Sequence, residues 1–445
     1  MKKFEIAYIP IGVPTFDLEC AIKEFDKSVS LLKGLEENCV CPDEMLLSID
    51  KLQDFLSTID PDLIVVQNIT FANAAYITEV LMKLECPVLL WTLREPIIDG
   101  GRLRLNSLTG AYSAANTLAQ FRNGNFEYIY GAPQEDEVID KIKKTIDAAR
   151  IKYELRNLKL ASIGHTPQGF GFGRALDLEL ATVFGARLES IEARELIDKA
   201  KAYKDEDFAD MLEDFDDSCT GYKDLPQNNI NDSARLLKAY ETYVTENNIK
   251  AISSRCWPDF FVSFGTPVCT VLSMLNDLGV VASCEADTAG ALSMYVGSRL
   301  TKQPVFFGDP VSLDETENTI TYWHCGMAPC SLAKGEKANI GVHPNRKIGP
   351  VMDFGCKEYE RATIFRIGKN GKGEFRFFIA KGKILDKPKQ FNGTSIVVKT
   401  KNNSKDVVNQ SVKDGWEPHF VVAYGDIADE LEVLGNMLNL EVLKY

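Results

Sequence analysis

The sequence predicts an α/β protein in which two Rossmann-like parallel-sheet α/β domains are followed by an antiparallel β-barrel-like C-terminal domain. The first two domains are predicted because apolar runs rich in β-branched residues alternate with segments of helical period, and this alternation restarts once. The last domain is predicted because the helical period fades late in the chain and strand–turn–strand patterns replace it. The expected domains are residues 1–155, 156–345 and 346–445.

The strands and helices of the first two domains follow the pattern of βαβ units. Strands are predicted at KFEIAYIPI, PDLIVVQN and CPVLLWTL, with the helical segments ECAIKEFDKSVSLLKGL and ITEVLMKL between them. A charged helix leads into the second domain, where LKLASIGHTP, LESIEA, IKAISSRC and VVASCEAD are predicted strands. Residues 210–232 are acidic and rich in turn formers, which predicts a surface excursion. Side chains that follow parallel strands are expected to face one ligand-binding crevice.

The C-terminal domain is predicted from a hairpin and a further strand. RATIFRIGKNGKGEFRFFIAKGKIL has two strand-like runs around a turn of Lys, Asn and Gly residues, and FNGTSIVVKT adds another strand. The chain then passes through GWEPHFVVAYG to a terminal helix, DIADELEVLGNML. These features favour a small antiparallel barrel or sandwich.

Composition and charge limit the classes of function. The chain has 445 residues and a formal net charge of −14, which argues against nucleic acid or an anionic membrane surface as a partner because such binders need a basic face. The eleven cysteines are scattered and odd in number, which is typical of reduced thiols rather than a disulfide framework. MKKFEIAYIPIGVP resembles a strand and not a signal peptide. We therefore expect a cytoplasmic protein that acts on a small molecule.

Two carboxylates and two histidines at the ends of apolar runs form the candidate site. Glu285 follows VVASC, Asp309 follows PVFFG, His324 ends ITYWH and His419 precedes FVVAYG. Carboxylate oxygens with one or two imidazoles suit Mn²⁺ better than zinc, so all four are predicted metal ligands. Glu285 and Asp309 are also the predicted catalytic residues, because carboxylates beside a metal can serve as a general acid and a general base.

The neighbouring Asp287 has a simpler interpretation. It stands directly before the helical TAGALSMYV and is expected to cap that helix. Of the remaining histidines, His165 can contact a substrate and His343 is expected to be structural or solvated.

These motifs resemble the L-fucose isomerase and L-arabinose isomerase superfamily. The E-x-D at Glu285, the F-x-D ending at Asp309 and the histidine at position 419 are similar to the segments that supply metal ligands in fucose isomerases, while His324 is similar to the extra histidine of arabinose isomerases. The resemblance implies proton transfer through a cis-enediol at Mn²⁺, and His419 would complete the metal shell.

The resemblance also implies which residues bind the sugar. Arg255 and Trp257 match an R-x-W-x-D motif, and Asp17 and Trp91 lie in segments similar to N-terminal ones that line the pocket from a neighbouring subunit. A homotrimer or homohexamer with active sites between subunits is therefore expected. The substrate would be a sugar similar to L-fucose or L-arabinose, or a modified hexose such as sulfoquinovose.

A sulfonated substrate would need a cationic site. Five arginines are candidates for bidentate binding of such an anion: Arg94, Arg102, Arg104, Arg174 and Arg255.

Two other functions are compatible with parts of the sequence. Glycines at 169, 171 and 173 follow a predicted strand and can cradle a phosphate, as in a nucleotide-dependent oxidoreductase, although they do not form G-x-G-x-x-G. Two α/β domains around a crevice also describe sugar-binding proteins without turnover. Cofactor absorbance would distinguish the first alternative, and binding without product formation would distinguish the second.

Overall fold

The computed structural model describes residues 2–122 and 125–445, which divide into two compact units. The first unit comprises Met1–Glu154 with Glu432–Asn439, and the second comprises Leu155–Leu431 with Leu440–Tyr445. All four predicted metal ligands therefore lie within the second unit.

The first unit contains a parallel sheet flanked by helices. Its strands are β1 (Ile6–Ile11), β2 (Cys39–Val40), β3 (Leu63–Asn68), β4 (Val88–Thr92) and β5 (Glu127–Tyr130). Its helices are α1 (Leu18–Leu35), α2 (Ile49–Leu56), α3 (Ala74–Lys83), α4 (Ser107–Arg122) and α5 (Asp136–Arg156), the last of which continues into the second unit. The strand order is β2-β1-β3-β4-β5, with parallel pairing throughout. Strands β1, β3 and β4 are buried along their whole length, as expected for a sheet covered on both faces.

The second unit contains the remaining strands and helices. Its strands are β6 (Lys159–Ile163), β7 (Arg187–Ile191), β8 (Cys219–Thr220), β9 (Ala251–Ser254), β10 (Val281–Cys284), β11 (Phe306–Asp314), β12 (Thr319–His324), β13 (Ala338–Gly341), β14 (Val351–Met352), β15 (Tyr359–Lys369), β16 (Phe375–Ile384), β17 (Thr394–Thr400), β18 (Phe420–Tyr424) and β19 (Glu441–Lys444). Its helices are α6 (Asp177–Phe184), α7 (Ala193–Ala202), α8 (Ala209–Ser218), α9 (Gln227–Glu246), α10 (Cys269–Asp277), α11 (Thr288–Thr301), α12 (Ser404–Lys413) and α13 (Ala428–Met437), and α13 continues into the first unit.

Two sheet systems make up most of the second unit. A parallel sheet has the order β10-β9-β6-β7, and a short sheet has the order β14-β13-β8. The antiparallel strands β15-β18-β11-β12-β17-β16 close into a six-stranded barrel because β15 also pairs with β16, and β19 adds to β16 in parallel. Parallel α/β units followed by a closed antiparallel barrel confirm the predicted fold class. The predicted hairpin is the β15–β16 pair.

Helix α11 lies between the parallel sheet and the barrel. It packs against β9 and β10 on one side and against β11, β15 and β18 on the other. Every residue from Thr288 to Gly297 is buried, and the small Ala, Gly and Ser side chains in this stretch allow the strands to approach closely. The loop before α11 is consequently placed where the parallel sheet meets the barrel.

Residues 210–232 are mostly exposed or half-buried, as expected for a surface excursion, although the segment includes α8, whose Met211 and Phe215 are buried. One local expectation was wrong. Asp309 does not end its strand, because β11 continues to Asp314 with a bulge after Pro310. Antiparallel pairing to β12 carries the strand through the proline, which the local Asp-Pro pattern did not reveal.

The predicted partition into three domains stays a prediction. Barrel strands β11 and β12 precede residue 345, whereas the other barrel strands follow it. All eleven cysteines are free thiols. None of the helices in the described part of the chain combines the length and apolar character that crossing a bilayer requires.

Candidate active site

The loop between β10 and α11 supplies the first carboxylates. Glu285 and Ala286 follow β10, and both have left-handed backbone conformations, with φ of 60° and 52°. Each such conformation costs a non-glycine residue about 1–2 kcal/mol, so the surrounding contacts must hold the loop in place. Asp287 then caps α11, as predicted, by accepting a hydrogen bond from Gly290 N at 2.6 Å. Strained backbone of this kind concentrates at functional sites.

Three adjacent barrel strands supply the other residues. Gly308 of β11 pairs with Phe420 of β18, which places Asp309 beside His419. Asp309 in turn pairs with Trp323 of β12, so that His324 is the next residue along that strand. The antiparallel register therefore brings Asp309, His324 and His419 together at one end of the barrel.

His419 is the centre of the cluster. Its Nε2 lies 2.9 Å from Glu285 Oε2 and 3.7 Å from Asp309 Oδ1, and its Nδ1 lies 2.9 Å from Asp287 Oδ2. Ligand atoms of Glu285, His324 and His419 all lie within 4.8 Å of one another. Oxygen and imidazole donors in this arrangement fit a single divalent cation. Asp309 is not part of that group of three, and its role as a metal ligand stays a prediction.

Asp287 joins this cluster to a buried arginine. Arg366 of β15 donates from Nη1 to Asp287 Oδ2 at 2.6 Å and from Nη2 to Asp287 Oδ1 at 3.1 Å. Its Nη1 also donates to the carbonyl oxygen of His419 at 3.1 Å. The side chains of Arg366 and Asp287 are 0% and 1% exposed. Arg366 was not among the residues predicted from the sequence, and Asp287 was predicted only as a helix cap.

Two glycines make room for the Asp287 carboxylate. A Cβ at Gly173 would lie 2.7 Å from Asp287 Cγ, and a Cβ at Gly290 would lie 2.7 Å from Asp287 Oδ2 and 2.5 Å from Phe307 Cζ. The glycine-rich segment after β6 therefore packs against a carboxylate of the protein itself.

Aromatic rings enclose the two imidazoles. The Phe307 ring lies 4.8 Å from that of His419 and 6.2 Å from that of His324, measured between ring centroids. Phe172, beside Gly173, contributes an edge-on contact to His419 at 5.9 Å. His324 and His419 are both buried. The rings fix the imidazole orientations and exclude water from their apolar sides.

The surroundings shift the pKa values of the site in different directions. Burial raises the pKa of Asp309. Burial also acts to raise the pKa of Glu285, but its hydrogen bond with His419 and the nearby His324 lower that pKa below its usual range. Burial opposes protonation of His419, yet its hydrogen bonds to Asp287 and Glu285 raise its pKa to about 10. Burial and the charge of Arg366 act on Asp287 in opposite senses, and the net effect is a pKa well below the usual range.

The two histidines differ in their hydrogen bonding. Nδ1 of His324 accepts a hydrogen bond from Cys325 N at 3.0 Å, and burial lowers the pKa of the ring. A neutral imidazole that accepts at Nδ1 carries its hydrogen on Nε2. His419 has the opposite arrangement, because its Nδ1 faces a carboxylate.

The predicted sugar-binding residues of the second unit lie near this cluster. Trp257 makes an edge-on contact with Phe170 at 6.3 Å, and Phe170 lies 5.4 Å from Phe172, which contacts His419. Arg255 forms an ion pair with Asp259 at 2.9 Å and donates from Nε to the Trp257 carbonyl. The aromatic side chains thus connect Trp257 to the candidate metal ligands.

The predicted sugar-binding residues of the first unit have contacts of their own. Asp17 caps α1 by accepting from Cys20 N at 3.1 Å. Trp91, in β4, is fully buried and donates from Nε1 to the Gly131 carbonyl at 2.9 Å. Their contribution to a sugar pocket stays a prediction.

A second group of metal-ligating side chains lies beside the site. Ligand atoms of Cys269, Cys325 and His343 lie within 4.8 Å of one another. Nδ1 of His343 accepts from the backbone N–H groups of Asn345 and Arg346, each at 3.2 Å. His343 was expected to be structural or solvated, and it is buried.

Comparison with known proteins identifies the family. The sequence profile for the L-fucose isomerase C-terminal domain matches residues 353–445. A sulfoquinovose isomerase from Clostridium sp. (strain MSTE9) is 57% identical over 446 residues, which cover 100% of both chains. The chain belongs to the L-fucose isomerase-like family. Sulfoquinovose isomerases from Priestia aryabhattai, at 35% identity over 454 residues, and Alkalicoccus urumqiensis, at 34% over 448 residues, cover at least 99% of each chain.

Family membership makes this chain an aldose–ketose isomerase that acts on a sugar. A solved arabinose-binding periplasmic protein from Shewanella sp. ANA-3 is 11% identical, with a TM-score of 0.16 over 62% of this chain and 78% of its own. That likeness carries no argument for a sugar-binding protein without turnover.

Proposed function

We propose that the protein is a Mn²⁺-dependent isomerase that converts sulfoquinovose, a glucose with a sulfonate at C6, to its ketose through a cis-enediol. The observation that carries the proposal is full-length identity of 57% to a sulfoquinovose isomerase. The cluster around His419 supports it, because its donors are those that a hard divalent cation prefers. We assign the activity to the cytoplasm, as the sequence predicts.

Glu285, Asp309 and His419 would hold the metal, with His324 beside them. When bound, Mn²⁺ would act as a Lewis acid toward the O1 and O2 oxygens of the sugar. A different divalent cation with the same preference for oxygen ligands would fit the same side chains.

The two carboxylates would move the protons. One removes the proton from C2 and returns it to C1, while the other carries a proton between O2 and O1. The aldose and ketose differ only in these proton positions, so no external oxidant or reductant is needed. Glu285 and Asp309 both face His419 Nε2, so we expect them to titrate as a set, and either can be the base toward C2.

Sugar binding is proposed for the pocket wall. Trp257 offers a ring on which a sugar can stack, and Arg255 offers a cation that Asp259 already orients. Asp17 and Trp91 would contribute from a neighbouring subunit in a homotrimer or homohexamer.

Isomerisation in D₂O tests the substrate and the mechanism together. Purified protein with Mn²⁺ is incubated with sulfoquinovose, glucose, L-fucose or L-arabinose, and products are followed by NMR. We expect a ketose from sulfoquinovose, with deuterium at C1, and loss of turnover when a chelator removes the metal. Turnover of L-fucose but not sulfoquinovose would contradict the substrate, and turnover that survives chelation would contradict metal dependence. A ketose without deuterium would leave either a hydride shift or a proton transfer that is shielded from solvent.

A further inference from the structure

We propose that Asp287 and Arg366 are positioning residues, which fix the hydrogen of His419 on Nδ1 and leave the Nε2 lone pair for the metal. This inference rests on the proposed metal dependence. It extends that function to two side chains that do not themselves reach the sugar, since both are almost completely buried.

The donor and acceptor roles leave one arrangement. Arg366 can only donate, and it donates to both oxygens of Asp287. The bidentate ion pair with Arg366 and the hydrogen bond from Gly290 N engage the Asp287 carboxylate as an acceptor at both oxygens. The nitrogen of His419 that faces Asp287 Oδ2 at 2.9 Å must then carry a hydrogen. The opposite nitrogen, Nε2, points toward Glu285 and Asp309. A cation bound there would take the place of a hydrogen on Nε2.

The two oxygens of Asp287 have separate tasks. Oδ1 accepts from Gly290 N and caps α11, whereas Oδ2 accepts from His419 Nδ1. Arg366 reaches both oxygens and also holds the His419 backbone through the carbonyl oxygen. The guanidinium therefore fixes His419 at the side chain, through Asp287, and at the main chain.

Stability alone does not explain this pair. Removing two charges from water costs so much free energy that replacing a buried ion pair by apolar residues of similar size often leaves the stability of a protein unchanged or raises it. A helix cap needs only serine, threonine or asparagine. Asp287, the carboxylate of this buried ion pair, contacts His419, and His419 in turn faces Glu285 and Asp309. Metal-ligating histidines in other proteins are commonly oriented by a carboxylate in the same way.

Asp287→Asn separates the two tasks of Asp287. If the asparagine keeps Oδ1 on Gly290 N, its Nδ2 group faces His419 Nδ1 and moves the imidazole hydrogen to Nε2. The turned amide is disfavoured, because its Nδ2 group would then face the hydrogens of Gly290 N and Arg366 Nη2, and these hydrogens cannot move to another atom. One oxygen of the amide cannot replace both oxygens of the carboxylate.

The test measures Mn²⁺ affinity on protein stripped of metal. Electron paramagnetic resonance of free Mn²⁺ gives the dissociation constant for wild type, Asp287→Asn and the charge-balanced double variant Asp287→Asn with Arg366→Met. We expect the dissociation constant to rise about 10–100-fold in both variants. The double variant keeps the test decisive if Asp287→Asn alone fails to fold, because it removes both members of the buried ion pair.

Arg376→Met is the matched control. Arg376 is a second buried barrel arginine, which donates to the carbonyls of Asp414 and Gly415. We expect its variant to lower the melting temperature and to leave Mn²⁺ affinity unchanged.

A second readout reports the tautomer directly. The chain has only four histidines, so ¹⁵N-histidine labelling with a His419→Ala reference assigns the His419 ring. With the diamagnetic cation Mg²⁺ in place of Mn²⁺, we expect a hydrogen on Nδ1 and none on Nε2 in the wild type, and a hydrogen on Nε2 in Asp287→Asn. Wild-type affinity and wild-type ring signals in Asp287→Asn would overturn the inference. Absence of Mn²⁺ binding by the wild type would instead overturn the proposed metal dependence.

Discussion

At the scale of single residues, the site depends on where each imidazole keeps its hydrogen. His419 presents Nδ1 to Asp287, whereas His324 uses Nδ1 to accept a backbone N–H. Only a nitrogen with a free lone pair can bind a metal. We therefore expect His419 to contribute more to metal affinity than His324.

Alanine substitution of the two histidines tests this ranking. We expect His419→Ala to weaken Mn²⁺ binding by more than about a hundredfold, since even residues that only orient a ligand contribute 10–100-fold. We expect His324→Ala to change affinity by much less. Calorimetric titration of Mn²⁺ into each metal-stripped variant gives the comparison, and equal losses would show that both rings are ligands.

The two carboxylates are expected to be needed for turnover. Glu285→Gln and Asp309→Asn should each lower kcat by about 10²–10⁴-fold, because each removes a proton-transfer group. Initial rates on sulfoquinovose with saturating Mn²⁺ measure the effect.

Glu315→Gln is the control for both carboxylate variants. Its carboxylate is exposed and forms a surface ion pair with Lys405. Its variant should keep the wild-type rate. Full activity in either site variant would exclude that residue from proton transfer.

Local sequence patterns revealed some of these residues and not others. Glu285 follows a buried apolar strand, where a lone carboxylate stands out, and Asp287 has the spacing of a cap. Arg366 lies between Phe365 and Ile367 in an ordinary strand pattern, and its partner is 79 positions away in sequence. An arginine inside an apolar strand is the one signal that a buried ion pair leaves in a sequence, and it does not identify the partner.

At the scale of elements, the segment between β6 and α6 packs closely against the Asp287 carboxylate. Gly173 adjoins Asp287, and Phe172 adjoins His419. Gly171, two residues away, has no atom within 4 Å of the position its Cβ would take. The same short loop thus contains one glycine that is needed for packing and one that is not.

Alanine substitutions at Gly173 and Gly171 test whether the close contact with Asp287, and not simply the presence of a glycine in this loop, matters for stability and metal binding. Gly173→Ala should destabilise the protein by about 1–3 kcal/mol through overpacking, and should lower Mn²⁺ affinity because the added methyl group displaces Asp287. Gly171→Ala should behave as the wild type in both respects. Thermal unfolding and Mn²⁺ titration of the pair provide the measurement, and identical behaviour would contradict the close packing at Gly173.

The periodic elements were well predicted, and the antiparallel pairings were not. Helical and strand periods located β1, β3, β4, β6, β9 and β10 and the hairpin of β15 and β16. Closure of the barrel through β11 and β12 depends on pairings with β17 and β18, which lie far away in sequence. Such long-range register leaves no local pattern, which is why Asp309 was expected at a strand end.

At the scale of the whole molecule, every residue of the candidate metal site belongs to the second unit. The first unit has its own sheet and a core that includes Ile64, Val66 and Leu90. A ligand stabilises the structure that binds it, by about 2.7 kcal/mol when its concentration is a hundred times the dissociation constant.

Hydrogen exchange with and without Mn²⁺ tests whether that stabilisation stays local. We expect slower exchange in peptides that contain α11, β11 and β18, and unchanged exchange in peptides that contain β3 and β4. Mass spectrometry of peptic fragments gives the comparison. Equal protection of both units would show that they open as a single cooperative block.

The cap of α11 has a consequence for inhibitors. The amino end of a helix attracts phosphate groups through its free N–H groups and its dipole, but here the Asp287 carboxylate fills that position and Arg366 neutralises it. The protein thus carries its own anion where a phosphorylated sugar or inorganic phosphate would otherwise dock. We therefore expect mimics of phosphorylated sugars not to bind at this helix end, because Asp287 already accepts the hydrogen bond from Gly290 N.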